Sequence, residues 1–333
     1  MLRSFVTALV LAGTLGMSAV SAEPVKIRAG WVVAPASLLP VLFAKAGLAR
    51  HQGQSYTFEP INIRASPLQI TALAAGEIEI AALGFSSFPF AVENAGLADL
   101  RIIAHEITDG AGENFSTHFM VRKDGGIATP ADLKGKVVAV NGLGTGVHMA
   151  LQAMLHRHGL EDRRDYTTIE APFPTMKAVL LEGKADLVVT TTPFVFDPEF
   201  NEKARTLFTQ KDAMGPSQLS FWTARGEFLA KNRSAVIDFL EDSLRALHWY
   251  LDPGNRKEAI AFIAGFLKQP PQRFESWIFT RNDFYRDPGG LVDLAALQRN
   301  VDLMRELGFI SRPLEVARYG GLDLVKEASQ RLK

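Results

Sequence analysis

Two strand–helix patterns repeated at a spacing of 107 residues, polar crossings between them, and a helix-rich C-terminal third predict an α/β protein of two lobes. Each lobe is expected to hold a mainly parallel sheet flanked by helices, because strands alternating with helices favour parallel pairing.

The repeat is the strongest of these observations. Residues 72–88 read ALAAGEIEIAALGFSSF and residues 179–196 read VLLEGKADLVVTTTPFVF. Gly76 aligns with Gly183, Glu79 with Asp186 and Ile80 with Leu187. Each copy predicts a helix closed by a left-handed Gly, an acidic residue, a short buried strand and a small polar loop carrying Phe. Upstream of the first copy, 25–31 alternates as a strand and leads to an apolar helix ending near Gly47. Upstream of the second, 137–140 leads through Gly-Leu-Gly-Thr-Gly to a helix ending near Gly159. That helix places Val147, Ala150, Leu151, Met154 and Leu155 on one face, at amphipathic spacing.

Further strands are predicted at 58–63, 100–107, 167–169 and 206–208. The polar run 108–116 with the strand 118–122 reads as the passage into a second lobe, and 219–224 as the passage back. Lobe I is therefore expected to comprise 23–117 and 225–333, and lobe II 118–224. Within the C-terminal part, Ile237, Leu240, Leu244, Leu247 and Leu251 form one helical stripe.

Composition narrows the function. With 36 Lys+Arg against 36 Asp+Glu, the chain lacks the concentrated positive charge that nucleic-acid binding needs, so no nucleic-acid partner is expected. The absence of Cys excludes disulfides, thiolate metal sites and a thiol nucleophile. Residues 1–22 combine Arg3, an apolar run and Val-Ser-Ala, which predicts a cleaved secretory signal peptide. A lipid anchor would require a Cys at the cleavage point, so the exported protein is expected to be soluble.

Ligands of open α/β sheets sit beyond the carboxyl ends of the strands, near helix N-termini. Four loops occupy that position: 31–38, 84–88, 141–148 and 190–194. They supply Ser37, Ser86, Ser87, Thr145, Thr191 and Thr192 as hydroxyl donors, with Gly144 and Pro193 shaping the backbone. Trp31, Phe85, Phe88, Phe194 and Trp222 are candidates for an apolar wall, and His148 lies in the first turn of its helix. None of the four loops contains Arg or Lys, which favours a ligand held by neutral donors. The same Ser and Thr residues also suit helix caps and turns.

Catalytic readings find little support. The seven His form no i, i+4 pair or HExxH, no GxSxG occurs, and GLGTG at 142–146 lacks the Lys of a phosphate-binding loop. No catalytic residue, metal site or cofactor is expected.

Taken together, VKIRAGW, LQITALAAGEIEIAALG, TPADLKGKVVAV, GTGVH and LLEGKADLVV resemble the solute-binding proteins of nitrate/sulfonate/taurine ABC importers over residues 24–225. That resemblance implies a type II periplasmic-binding-protein fold, a monomer in the periplasm, and a small organic anion such as a sulfonate, taurine, nitrate or aromatic acid. It implies docking on a membrane permease with a separate ATPase, since no Walker motif occurs here. Two alternatives remain open: an enzyme on the same fold related to thiamine-pyrimidine synthesis, which in that group uses a Cys-rich segment, and a ligand-sensing module.

Overall fold

The computed structural model describes residues 23–332, so the predicted signal peptide lies outside the described residues. The chain forms two five-stranded sheets. The first contains β1 (Val25–Trp31), β2 (Tyr56–Asn62), β3 (Ile80–Gly84) and β4 (Leu100–Asp109). The second contains β5 (His118–Arg122), β6 (Val137–Val140), β7 (Thr167–Glu170), β8 (Leu187–Thr190) and β9 (Ala204–Thr209). A last strand, β10 (Ser217–Arg225), returns to the first sheet. The orders are β2-β1-β3-β10-β4 and β7-β6-β8-β5-β9, the same plan twice.

Within each sheet four strands run in one direction, and the strand that comes from the other lobe runs antiparallel between two of them. Both sheets are therefore mixed, because β5 and β10 each begin where the chain crosses from one sheet to the other. Residues 217–224, expected within the second lobe, belong to β10 between β3 and β4. The return crossing accordingly lies earlier, between Thr209 and Ser217.

The repeated acidic residue has a repeated role. Glu79 Oε2 accepts the backbone N–H of Arg28 at 2.7 Å, and Asp186 Oδ2 accepts that of Val137 at 3.0 Å. Their own N–H groups donate to the carbonyls of the same two residues. Each carboxylate thus docks the third strand of its unit beside the first. Gly76 and Gly183 have φ of 69° and 73°, the left-handed closure predicted for the preceding helices.

Helices cover both faces: α1 (Leu39–Leu42), α2 (Ser66–Ala74) and α3 (Ser87–Glu93) in the first lobe, α4 (Gly146–Arg157) and α5 (Met176–Leu181) in the second. The helix Arg233–Leu251 packs Ile237, Phe239, Leu240 and Leu244 into the core around β1 and α1. The second lobe has its own core, built on Phe119, Val138, Leu151, Leu155 and Leu187.

Both crossings meet at one buried carboxylate. Asp109 Oδ2 accepts from the Thr117 N–H and hydroxyl, each at 2.7 Å, and its Oδ1 accepts from the Ser116 hydroxyl. Gln210 N–H donates to the Thr117 carbonyl at 2.8 Å, and the Gln210 side chain donates to the Ser217 hydroxyl at 2.7 Å. Burial pushes the Asp109 carboxyl up to about 6, against the pull of its three hydrogen bonds.

Replacing Asp186 with Ala leaves the Val137 N–H without that partner, and chemical denaturation should show a loss of about 1–3 kcal/mol. Glu79→Ala should cost at least as much, since Glu79 also pairs with the Arg28 guanidinium. Unchanged midpoints for both variants would remove the repeated carboxylate from the account.

Candidate functional site

A cavity of about 610 Å³, counted with its mouth, lies between the two sheets at the carboxyl ends of their strands. Loops of both lobes line it. From the first lobe come Val32, Val33, Ala36 and Ser37 after β1, Gly84 at the end of β3, and Glu106 on β4. The second lobe contributes Asn141, Thr145, Gly146 and Val147 at the start of α4, with Phe173 and Thr191. Phe284, from the C-terminal part, closes another side. Most of this lining is apolar, with hydroxyls at a few points.

The start of α4 explains the GLGTG segment. Gly144 has φ of 75°, which a side chain would disfavour. A Cβ on Gly142 would come within 2.9 Å of Ala65, and one on Gly146 within 2.9 Å of the Phe85 ring. Ala65 and Phe85 both belong to the first lobe, so these glycines let the two lobes approach. Thr145 caps α4: its hydroxyl accepts from the His148 N–H at 3.3 Å and donates to the Gly142 carbonyl at 2.8 Å. The first N–H groups of α4 have no intrahelical acceptor, and Gly146 and Val147 both line the cavity.

Of the residues expected to bind ligand, Ser37, Thr145 and Thr191 line the cavity. Ser86 and Ser87 have a different role. Both hydroxyls donate across the lobe boundary to the Gly144 carbonyl, at 2.8 and 3.2 Å. None of the five aromatic candidates lines the cavity. Phe85 and Phe88 are fully buried in the first-lobe core with Phe221, because the chain turns into α3 immediately after β3. Trp222 lies in the first-lobe core as well, since β10 runs through the middle of that sheet. Trp31 packs on that core and Phe194 on the second-lobe core, and neither lines the cavity. Thr192 and Pro193 lie beyond the cavity wall, the Thr192 hydroxyl buried without a partner. His148 folds back on its own loop, Nδ1 accepting from the Gly144 N–H at 3.0 Å, and burial holds its pKa below the usual value.

Glu106 is a cavity residue that the sequence motifs do not single out. Its position was legible in one respect: a charged residue inside the apolar strand run RIIAHEITD. It is 8% exposed, and its Oε2 accepts a hydrogen bond from Ser220. Burial raises its pKa, while Ser220, Ser37 and the nearby Arg286 oppose the rise. The Ser37 hydroxyl lies near the carboxylate but outside good hydrogen-bond geometry, and Oε1 has no partner.

Contacts between the lobes surround the cavity. Arg64 reaches Glu170 at 3.6 Å, Arg273 reaches Asp197 at 3.3 Å, and Phe196 stacks on Trp277 with ring centres 6.0 Å apart. Elsewhere, His51, Asp238 and Glu241 could approach a common metal ion, but Arg245 already pairs with Glu241 and Asp242 there.

A family model described as NMT1/THI5 like matches residues 110–255. No curated protein matches by sequence. Among solved structures, the alkanesulfonate-binding protein SsuA from Xanthomonas axonopodis pv. citri, bound to MOPS, is 21% identical with a TM-score of 0.70, over 90% of this chain and 99% of that one. The periplasmic nitrate-binding protein NrtA from Synechocystis PCC 6803 is 16% identical with a TM-score of 0.71, over 93% of this chain and 90% of that one. The desulfurization enzyme DSZB is 15% identical with a TM-score of 0.65, over 93% of this chain and 100% of that one. These likenesses show the fold: two α/β lobes of the type II binding-protein kind, the fold that the sequence motifs implied.

Because its hydroxyl is spent in the α4 cap, Thr145→Val should lower stability by about 1 kcal/mol in chemical denaturation, with Thr145→Ser close to the parent. Equal stability of the Val variant would show that the cap contributes nothing.

Proposed function

We propose that this chain is the substrate-binding component of an ABC importer, capturing a small organic acid between its lobes and presenting the closed form to a membrane permease. The observation that carries the reading is the cavity between the two sheets, lined by both lobes and bridged by the Ser86 and Ser87 bonds to Gly144. Ligand contacts to both lobes would favour the closed arrangement over the open one. The acid group fits the first turn of α4, where unpaired N–H groups and the helix dipole favour negative charge without a cation.

Location follows the same reading. The predicted signal peptide and the periplasmic proteins that share the fold support export. Among the described residues no helix is long and apolar enough to cross a membrane. The permease and its ATPase would be separate chains, and the binding protein would act as a monomer. DSZB shows that the fold also hosts an enzyme, but this chain has no cysteine, so thiolate chemistry is closed to it. With no catalytic constellation in the cavity lining, binding is the reading the geometry favours.

A thermal-shift screen of alkyl and aryl sulfonates, taurine, nitrate and aromatic carboxylates tests the proposal. A true ligand at a hundredfold excess over its Kd should stabilise the fold by about 2.7 kcal/mol. A screen in which only metal ions or nucleotides raise the melting point would contradict it.

A further inference from the structure

Three features of the molecule are not used by the binding reading. The His51–Asp238–Glu241 cluster is already paired off: Glu241 with Arg245, Asp238 with Arg331 and His51 with Asp242. A second cavity, inside the first lobe, is walled by Leu42, Trp222, Phe239, Leu244 and Arg286. Glu106 lines both cavities, and it is the feature that carries an inference.

We propose that Glu106 sets the specificity of the inter-lobe cleft by accepting an N–H donor from the ligand, so that the captured organic acid also carries an amino group. This deepens the binding reading above and rests on it.

Three observations support the assignment. Oε1 of Glu106 is buried without a partner, beside walls formed by Val33, Ala36, Ile107 and Phe284. A buried carboxylate oxygen left unpaired in such surroundings costs free energy that a donor on the ligand would recover. Next, no Lys, Arg or His lines this cavity, so Glu106 is its one ionisable group among the described residues. Last, the nearest cation is already committed. Arg286 donates to Asp283 at 2.9 Å, to the Phe284 carbonyl at 3.1 Å and to the Ala36 carbonyl at 2.8 Å.

Charge balance then points to a positive nitrogen. Arg286 and Asp283 neutralise each other, and Tyr250 donates its hydroxyl to the same Asp283. His105, beside Glu106 on β4, is held neutral by burial, its pKa pushed down to about 4. An ionised Glu106 is left unbalanced, and an ammonium or amino N–H is the complement that restores balance. The rival occupant is an acid without nitrogen, which would require Glu106 to bind as the protonated carboxyl.

Matched probes separate these possibilities by calorimetric titration. One pair is 4-(aminomethyl)benzenesulfonate and 4-methylbenzenesulfonate; the other is 3-aminopropanesulfonate and propanesulfonate. The parent protein should bind the amino member of at least one pair about tenfold more tightly or better. Glu106→Gln, which keeps the size and a partner for Ser220, should abolish that preference. If Glu106→Gln fails to fold, the preference in the parent protein still decides the matter. Equal binding within each pair, or tighter binding of the amine-free members, overturns this inference and leaves the binding reading standing. If no member of either pair binds, and the sulfonates and carboxylates of the wider screen also fail, the binding reading falls and takes the inference with it.

Discussion

The chain passes between its two sheets twice, and the buried carboxylate of Asp109 ties down the place where it does so. Its oxygens hold Ser116 and Thr117 on the outward crossing, and Thr117 in turn accepts from Gln210 on the return. Lys211 on the return adds a second tie, its N–H donating to the Ser116 hydroxyl at 2.9 Å, so the polar groups of the crossings are satisfied by one another. The cavity lies beside this junction, with Thr117 in its wall. A double crossing of this kind allows the lobes to swing about a narrow region while each keeps its own core.

Much of this was legible in the residues. The Gly76/Gly183 and Glu79/Asp186 pairs announced two copies of one unit, and the structure gives both carboxylates the same task on the first strand of each copy. The loop glycines of 142–146 were also visible, but their reason was not. Gly142 and Gly146 are small because Ala65 and Phe85 of the other lobe press against them. That constraint joins residues distant in sequence, so no local pattern carries it.

The candidate site was read less completely. Ser37, Thr145 and Thr191 reach the cavity, whereas Ser86 and Ser87 close the lobes onto Gly144. Aromatic residues beside polar loops suggested a ligand wall, yet Phe85, Phe88 and Trp222 sit in the core. A Phe beside a strand end looks alike in sequence whether it turns toward ligand or into the sheet. The apolar wall is supplied instead by residues such as Val33 and Phe284, the latter from the C-terminal part that carried few diagnostic residues. Glu106 was hidden for the opposite reason. A charge within a strand is ordinarily assigned to the solvent face, and only the tertiary fold shows that this one faces a cavity.

The central claim is that a ligand holds the two lobes closed over this cavity. Small-angle X-ray scattering of the protein, with and without a ligand that calorimetry shows to bind, tests it most directly. The account predicts a smaller radius of gyration and a narrower pair-distance distribution when ligand is added. Saturating binding with superimposable scattering curves would contradict it.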